Sequence, residues 1–297
     1  MSTANASIRP ALPTPSLFFR EAGDGPGVVC IHCNGSSSAQ WRGLTDRLAS
    51  RHRVLAPDTH GAGKGPSWPT SHPLSLRDEL VLLEPAFARA GNRFALVGHS
   101  YGAAVALMAA LQFPDRVSAL VLYEPTLFSL VDAASPPPND ADGIRRTVET
   151  ASAAVAAGDL NRAAELFIDY WMGAGAWQAK PEAQRGAIAS AVINVQGWGQ
   201  ALFGETTRLA AFRRLTMPVL LMLGRETRPS ARAVSGLLGQ TLPNVETLTL
   251  DGLGHMGPIT HPEVVNSAID DFFRRVNADK SPGPGTGSAG AAQNSRH

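Results

Sequence analysis

Hydrophobic positions along the chain alternate between short continuous runs and longer stretches with a helical period. Continuous runs rich in Val, Ile and Leu are typical of strands buried on both faces, whereas a period of 3.6 residues is typical of helices that cover a sheet. Strands are predicted at residues 17–20, 28–32, 53–56, 94–97, 118–123, 219–224 and 245–250. Helices are predicted at residues 39–49, 76–90, 101–112, 230–239 and 262–276. This alternation favours an α/β fold with a mostly parallel, doubly wound sheet.

The alternation of strands and helices is interrupted over residues 127–212. This stretch has consecutive prolines at positions 136–138, followed by Ala-rich sequence that favours helices. We interpret it as a helical cap inserted into a sheet domain that comprises residues 15–126 and 213–278. The cap carries several large aromatic side chains: Trp171, Trp177, Trp198 and Phe203. Since such side chains usually serve packing, we expect them to form a core of the cap itself.

The composition favours a small-molecule partner. The formal net charge of +1 gives no long-range field that would attract nucleic acid or an anionic membrane. No run approaches the roughly 18 apolar residues of a membrane span, and residues 1–20 lack the apolar segment of a signal peptide. We therefore expect a cytoplasmic protein without a nucleic-acid partner or membrane span, in an oligomeric state that the sequence leaves open. Residues 1–14 are interpreted as an N-terminal extension and residues 279–297 as a disordered tail.

Two other patterns are weighed and set aside. Cys30 and Cys33 have C-x-x-C spacing, but redox pairs of this kind open a helix, whereas these two residues end a predicted strand. Asp58 and His60 lie in a Gly-rich turn that departs from the phosphate-loop pattern and has no further metal ligands nearby. We therefore expect neither a cofactor nor a metal.

The motif Gly-His-Ser-Tyr-Gly at residues 98–102 indicates a nucleophile. It lies between a predicted strand and a predicted helix, where G-x-S-x-G presents a serine hydroxyl at the tip of a sharp turn. Ser100 is the candidate nucleophile. His255, in a Gly-rich loop after the last predicted strand, is the candidate base. His99 and His261 are not expected to act as the base.

Acyl transfer also needs hydrogen-bond donors for the oxyanion that forms on the substrate. The backbone N–H of Tyr101, the residue after the nucleophile, would supply one donor. A second would come from the Gly- and Ser-rich turn that follows an early strand, where Asn34 is best placed.

Several motifs together resemble those of the α/β-hydrolase fold superfamily, in its capped esterase and lipase-like branch. They are Ile-His-Cys-Asn-Gly at 31–35, Ala-Pro-Asp-Thr-His-Gly at 56–61, the Ser100 motif, and Gly-His-Met-Gly-Pro at 254–258. The resemblance covers about residues 15–278. Members of this family commonly have glycine where Cys33 stands, which bears on the shape of the oxyanion loop.

The resemblance also implies where the triad acid should be, and this chain departs from it. The family commonly places the acid at the position of Thr227, which cannot carry the charge that orients the histidine. Glu124, at the end of the strand after the nucleophile helix, is the favoured acid, as in the related haloalkane dehalogenases. Glu226 is the alternative, unless it merely pairs with a neighbouring arginine on the surface.

These residues favour a serine hydrolase that cleaves a carboxylic ester or related acyl substrate through an acyl-enzyme intermediate. The related dehalogenases and epoxide hydrolases have an aspartate as nucleophile, so Ser100 argues against both activities. One alternative is hydrolysis of a carbon-carbon bond in a diketone-like substrate. Another is a catalytically silent, hydrolase-like binding protein.

Overall fold

In the computed structural model of the chain, residues 17–69 and 72–278 are described. Strands of one sheet make up the centre of this part: β1 (Phe19–Ala22), β2 (Gly27–Ile31), β3 (Arg53–Pro57), β4 (Phe94–His99), β5 (Val117–Tyr123), β6 (Val219–Gly224) and β7 (Val245–Leu250). The predicted strands agree with these to within two residues at each end. The predicted N-terminal extension and C-terminal tail lie outside the described residues.

The sheet has the order β1-β3-β2-β4-β5-β6-β7, and β1 is antiparallel to β3 while the other neighbours are parallel. Every residue of the central strands β2, β4 and β6 is buried, as their continuous apolar runs predict. The chain crosses from β3 to β4 on the other side of β2, so the order reverses between β2 and β4. Ligands of open α/β sheets bind beyond the carboxyl ends of the strands at such a reversal.

Helices cover both faces of the sheet and the end where the order reverses. Their bounds are α1 (Arg42–Leu48), α2 (Leu76–Ala90), α3 (Tyr101–Gln112), α4 (Ser129–Ala134), α5 (Asp142–Ala156), α6 (Leu160–Met172), α7 (Glu182–Val192), α8 (Val195–Phe203), α9 (Pro229–Thr241), α10 (Gly257–Thr260) and α11 (Pro262–Ala278). Helices α2, α3 and α9 contribute to the apolar cluster on one face, and α1 and α11 to the cluster on the other. The prediction of a doubly wound α/β fold is therefore confirmed.

Five helices, α4 to α8, lie between β5 and β6 and form the helical cap. Trp177 and Trp198 belong to an apolar cluster within the cap, as expected. The expectation is wrong for Trp171, which belongs to a cluster shared with the sheet domain and stacks on His255. Phe203 contacts Phe128 and the Arg145 guanidinium, both within residues 127–212. Within residues 17–69 and 72–278, no helix combines the length and apolar character needed to cross a bilayer.

Candidate active site

Ser100 lies in the sharp turn between β4 and α3, with φ 56° and ψ −117°. A side chain in this backbone conformation is strained by about 1–3 kcal/mol, so the surroundings must enforce it. The flanking glycines allow the turn to be this tight. A Cβ at Gly98 would lie 2.5 Å from Ala103 Cα, and one at Gly102 would lie 2.3 Å from the carbonyl oxygen of Ile31. The turn therefore requires glycine at both positions of the motif.

His255 follows β7 and lies against Ser100, with 2.9 Å between its Nε2 and Ser100 Oγ. The imidazole is buried, and two hydrogen bonds to backbone carbonyls hold its loop in place. His99 Nε2–H donates to the carbonyl of His255 at 2.8 Å, and the Tyr123 hydroxyl donates to that of Gly254, also at 2.8 Å. Residues from β4 and β5 thus fix the position of the loop that carries the imidazole.

Glu124 accepts a hydrogen bond from His255, with 2.7 Å between Oε2 and Nδ1. Its other oxygen accepts from the N–H of Gly224 at 2.7 Å, and Oε2 also accepts from the Thr227 hydroxyl. Such bonds compensate for the complete burial of this carboxylate. Thr227, which stands where the resemblance implies the acid, is instead a hydrogen-bond donor to Glu124, which follows the neighbouring strand β5.

Backbone strain in the described residues is concentrated at these two side chains. Among the described residues, Ser100 and Glu124 are the only residues other than glycine that have a positive φ, at 56° and 45°. Strained conformations of this kind cluster at functional sites, because the surrounding structure must over-determine them.

Glu226, the alternative acid, is exposed and makes no hydrogen bond or ion pair with His255 in the described structure. It does not pair with a neighbouring arginine either, since Arg225 pairs with Asp251 and the Arg228 guanidinium lies over the ring of Tyr170. The structure brings Glu124, and not Glu226, onto the imidazole.

Asn34 and Tyr101, the predicted oxyanion donors, both lie next to Ser100. Asn34 is in the loop after β2 and lines the same cavities as Ser100, and Tyr101 is the first residue of α3. Neither backbone N–H has an acceptor among the described residues. The preceding N–H, that of Cys33, is occupied by a hydrogen bond to Gln40 Oε1 at 3.1 Å. The two N–H groups that sequence reasoning singled out are therefore available to an oxyanion.

A hydrogen-bonded line through Gln40 connects this loop to the backbone of His255. Gln40 Nε2 donates to His99 Nδ1 at 3.1 Å, and His99 Nε2–H donates to the carbonyl of His255. The pKa of His99 lies well below its usual range, mainly because the side chain is buried and also because the imidazole of His255 is nearby. His99 therefore stays neutral and serves as a connector, which its position next to the nucleophile does not reveal.

Glu79, which sequence reasoning missed, lies behind the nucleophile turn. Its completely buried carboxylate accepts from the Tyr101 hydroxyl at 3.1 Å and from His60 Nδ1 at 3.0 Å. Burial and the Glu79 charge raise the pKa of Tyr101 well above its usual range, so the hydroxyl remains a donor. The pair fixes the first residue of α3. Glu79 lies on an ordinary amphipathic helix, and no local pattern distinguishes it from a surface residue.

Trp171 is a further residue at the site that sequence reasoning did not identify. Its indole stacks on the imidazole of His255, with ring centroids 3.7 Å apart and an angle of 22° between the planes. The end of α6 is held on the sheet domain by a hydrogen bond between the hydroxyl groups of Tyr170 and Ser230 at 2.8 Å and by one from Arg228 to the Asp169 carbonyl at 3.1 Å. The cap thus forms one wall against the His255 imidazole.

Ser100 opens onto two cavities, and Phe167 and Trp171 line both. The larger has a volume of about 230 Å³ and also borders His255, and the smaller, of about 20 Å³, has mainly apolar walls. A volume of this smaller size holds about one water-sized group. The site can therefore accept a substrate with one long arm and one short arm.

Cys30 and Cys33 are both buried and unpaired. Burial raises the pKa of the Cys33 thiol to about 12 and raises that of Cys30 as well, so neither is a reactive thiolate. Asp58 accepts from the backbone N–H groups of Ser38 and Lys64 at 2.6 and 2.8 Å, which anchors the oxyanion loop. Among residues 17–69 and 72–278, no three His, Cys, Asp or Glu side chains are grouped so as to hold a metal ion.

Similarity to known proteins extends over most of the chain. Residues 28–268 match the sequence profile of the Alpha/beta hydrolase family. The pimeloyl-[acyl-carrier protein] methyl ester esterase of Aeromonas hydrophila is 27% identical over 271 residues, which cover 86% of this chain and 99% of that protein. The crystal structure of an alpha/beta hydrolase from Sphaerobacter thermophilus is similar with a TM-score of 0.68 and 25% identity, covering 88% of this chain and 99% of that one.

A shorter similarity relates the chain to a larger protein. An uncharacterised protein of Mycobacterium tuberculosis is 37% identical over 109 residues, which cover 35% of this chain and 30% of that protein. This chain therefore spans less than a third of the length of that relative.

Proposed function

This chain belongs to the alpha/beta hydrolase family, and we propose that it is a serine hydrolase that cleaves a carboxylic ester or related acyl compound through an acyl-enzyme intermediate. One observation carries the proposal. Ser100 Oγ, both ring nitrogens of His255 and Glu124 Oε2 form a continuous hydrogen-bonded line, with distances of 2.9 and 2.7 Å. The esterase among the similar proteins supports the same reaction class.

The first half of the reaction forms the acyl-enzyme. Glu124 holds the proton of His255 on Nδ1, which leaves Nε2 free to accept the proton of Ser100. Ser100 Oγ then adds to the substrate carbonyl, and the N–H groups of Asn34 and Tyr101 donate to the oxyanion. The imidazolium, stabilised by Glu124, returns the proton to the departing alcohol.

The second half repeats these steps with water. His255 Nε2 takes a proton from a water molecule, whose oxygen adds to the acyl carbon. The oxyanion collapses, the bond to Ser100 Oγ breaks, and His255 returns the proton to the serine oxygen. The carboxylic acid leaves and the free enzyme is restored.

The two alternatives have less support. A silent binding protein has no need for a buried carboxylate, an imidazole and a strained serine held in line. Hydrolysis of a carbon-carbon bond uses the same residues, but no feature of the cavities favours a diketone.

The proposal is tested by hydrolysis of p-nitrophenyl acetate and p-nitrophenyl butyrate. Ser100→Ala should lower kcat by at least roughly 10³-fold, because the nucleophile is lost. Ser190→Ala is the matched control, since its hydroxyl only donates to a carbonyl within α7. Unchanged ester hydrolysis in Ser100→Ala would refute the proposal, and Ser100-dependent cleavage of a diketone without ester hydrolysis would correct the reaction class.

A further inference from the structure

The larger cavity has a cation at its mouth that the proposed reaction does not use. Lys180 lines this cavity just before α7 begins, and its ammonium forms no ion pair with any described residue. Apart from His255 and the Cys33 thiol, whose raised pKa keeps it neutral, it is the only ionisable side chain in the described cavity wall, which contains no Asp or Glu. The cavity therefore has a positive charge without a compensating one.

The position of Lys180 follows from the way in which α7 forms a wall of the cavity. Gln184, Ile188 and Val192 line the cavity from one face of the helix, because residues four apart lie above one another. Gln184 is exposed, Ile188 is half-buried and Val192 is buried, so the wall runs from the solvent inwards. At 1.5 Å per residue it is about 12 Å long.

The walls between this mouth and Ser100 are apolar. Side chains from α6, from α10 and from Met256 next to His255 supply them: Phe167, Ile168, Trp171, Met172, Met256 and Ile259. Such a channel favours an apolar chain, whereas the Lys180 ammonium and the Gln184 amide at its mouth favour an anionic oxygen group. A single ammonium and a single amide match the one charge of a carboxylate better than the nearly two charges of a phosphate.

We propose that Lys180 and Gln184 form a subsite for a terminal carboxylate, so that the substrate is an ester whose long arm is an apolar chain ending in that carboxylate. This inference rests on the proposed serine hydrolase function. The short arm occupies the small cavity that Ser100 also lines, whose volume of about 20 Å³ suits a methyl-sized group.

The test compares two methyl esters of equal chain length, monomethyl suberate and methyl octanoate. We expect kcat/KM to be roughly tenfold higher for the charged ester, because its carboxylate forms a charge-assisted hydrogen bond with Lys180 at a partly exposed site. Lys180→Met should bring the ratio of the two values to about one, and Lys180→Arg should retain most of the preference. Arg162→Met, which removes a cation that pairs with Glu165 on the outer part of α6, should leave the ratio unchanged.

Binding to the Ser100→Ala variant separates this inference from the proposed function, because it needs no turnover. Calorimetry should give a lower Kd for monomethyl suberate than for methyl octanoate, and Lys180→Met in that background should remove the difference. Equal affinity for both esters, or a preference that survives Lys180→Met, would overturn the subsite even if the enzyme hydrolyses esters. Failure of ester hydrolysis with the affinity difference intact would overturn the proposed function alone.

Discussion

Replacing Glu124 by glutamine exchanges one carboxylate oxygen for an NH₂ group at nearly constant size, and the structure dictates where that group must lie. Glu124 Oε1 accepts only from the Gly224 N–H, whereas Oε2 accepts from His255 and from the Thr227 hydroxyl. An amide with its NH₂ beside Gly224 would bring two N–H donors, its own and that of Gly224, into contact without an acceptor. The NH₂ must therefore occupy the Oε2 position and face the imidazole.

In that position the amide donates to His255 Nδ1 and moves the imidazole proton to Nε2. Nε2 then cannot accept the proton of Ser100, so the exchange removes the base rather than weakening it. The equivalent exchange in the chymotrypsin-type triad lowers kcat by about 10⁴-fold. We therefore expect Glu124→Gln to lower kcat by about 10³- to 10⁴-fold, which corresponds to about 4–5.5 kcal/mol of activation free energy.

The assay is kcat for p-nitrophenyl butyrate, with urea unfolding to verify that the variant is folded. Glu226→Gln is the matched control, since this exposed side chain makes no contact with His255. It should keep kcat within about twofold, because surface substitutions outside such contacts have small effects. The reasoning is refuted if Glu226→Gln loses activity while Glu124→Gln remains within tenfold of the unsubstituted protein.

Two further predictions concern the residues around the nucleophile. Because the pKa of His99 lies well below its usual value of 6.5, only the unfolded state takes up its proton as the pH falls below 6.5. Stability is therefore complete above pH 6.5 and is lost below it, by at most about 1.4 kcal/mol per pH unit. His99→Gln should reduce this slope in urea unfolding between pH 6.5 and 5, and an unchanged slope would contradict the assignment. Gly102→Ala places a Cβ 2.3 Å from the Ile31 carbonyl oxygen. This clash should lower the free energy of unfolding by about 1–3 kcal/mol, and it should lower kcat by roughly tenfold or more. Gly236→Ala in α9, where a Cβ meets nothing within 4 Å, should do neither, and equal effects of the two substitutions would argue against a steric cause.

The fold could be predicted from the sequence because each strand and helix carries its own local signal. Strands β6 and β7 have the predicted bounds, as do α2 and α3. Ser100 and His255 could also be singled out, since a G-x-S-x-G turn and a Gly-rich loop after the last strand are local patterns.

The acid could not be decided by such patterns, and the sheet explains why. Strands β5 and β6 are neighbours, with Tyr123 beside Met222 in register. Glu124 and the loop that holds Glu226 therefore emerge side by side, and each follows a strand that ends at the same edge. Which carboxylate faces His255 depends on the backbone at Glu124 and on the donors Gly224 and Thr227, and these contacts exist only in the folded chain. The catalytic role of Glu124 remains a prediction.

Trp171 and Glu79 could not be found from the sequence for a related reason. Each contacts its partner at the site from a distant part of the chain, Trp171 against His255 and Glu79 against Tyr101. A tryptophan on a cap helix and a glutamate on an amphipathic helix have many uses, and only the packing of the cap and of α2 decides between them.

Covalent labelling of Ser100 tests most directly whether His255 makes its hydroxyl nucleophilic. The protein is treated with a fluorophosphonate, and the adduct is followed by intact mass and located by peptide mapping. We predict one adduct on Ser100, none in Ser100→Ala, and labelling slower by at least roughly a hundredfold in His255→Ala, because the general base is lost. An unlabelled protein, an adduct on another serine, or an unchanged rate in His255→Ala would contradict the account.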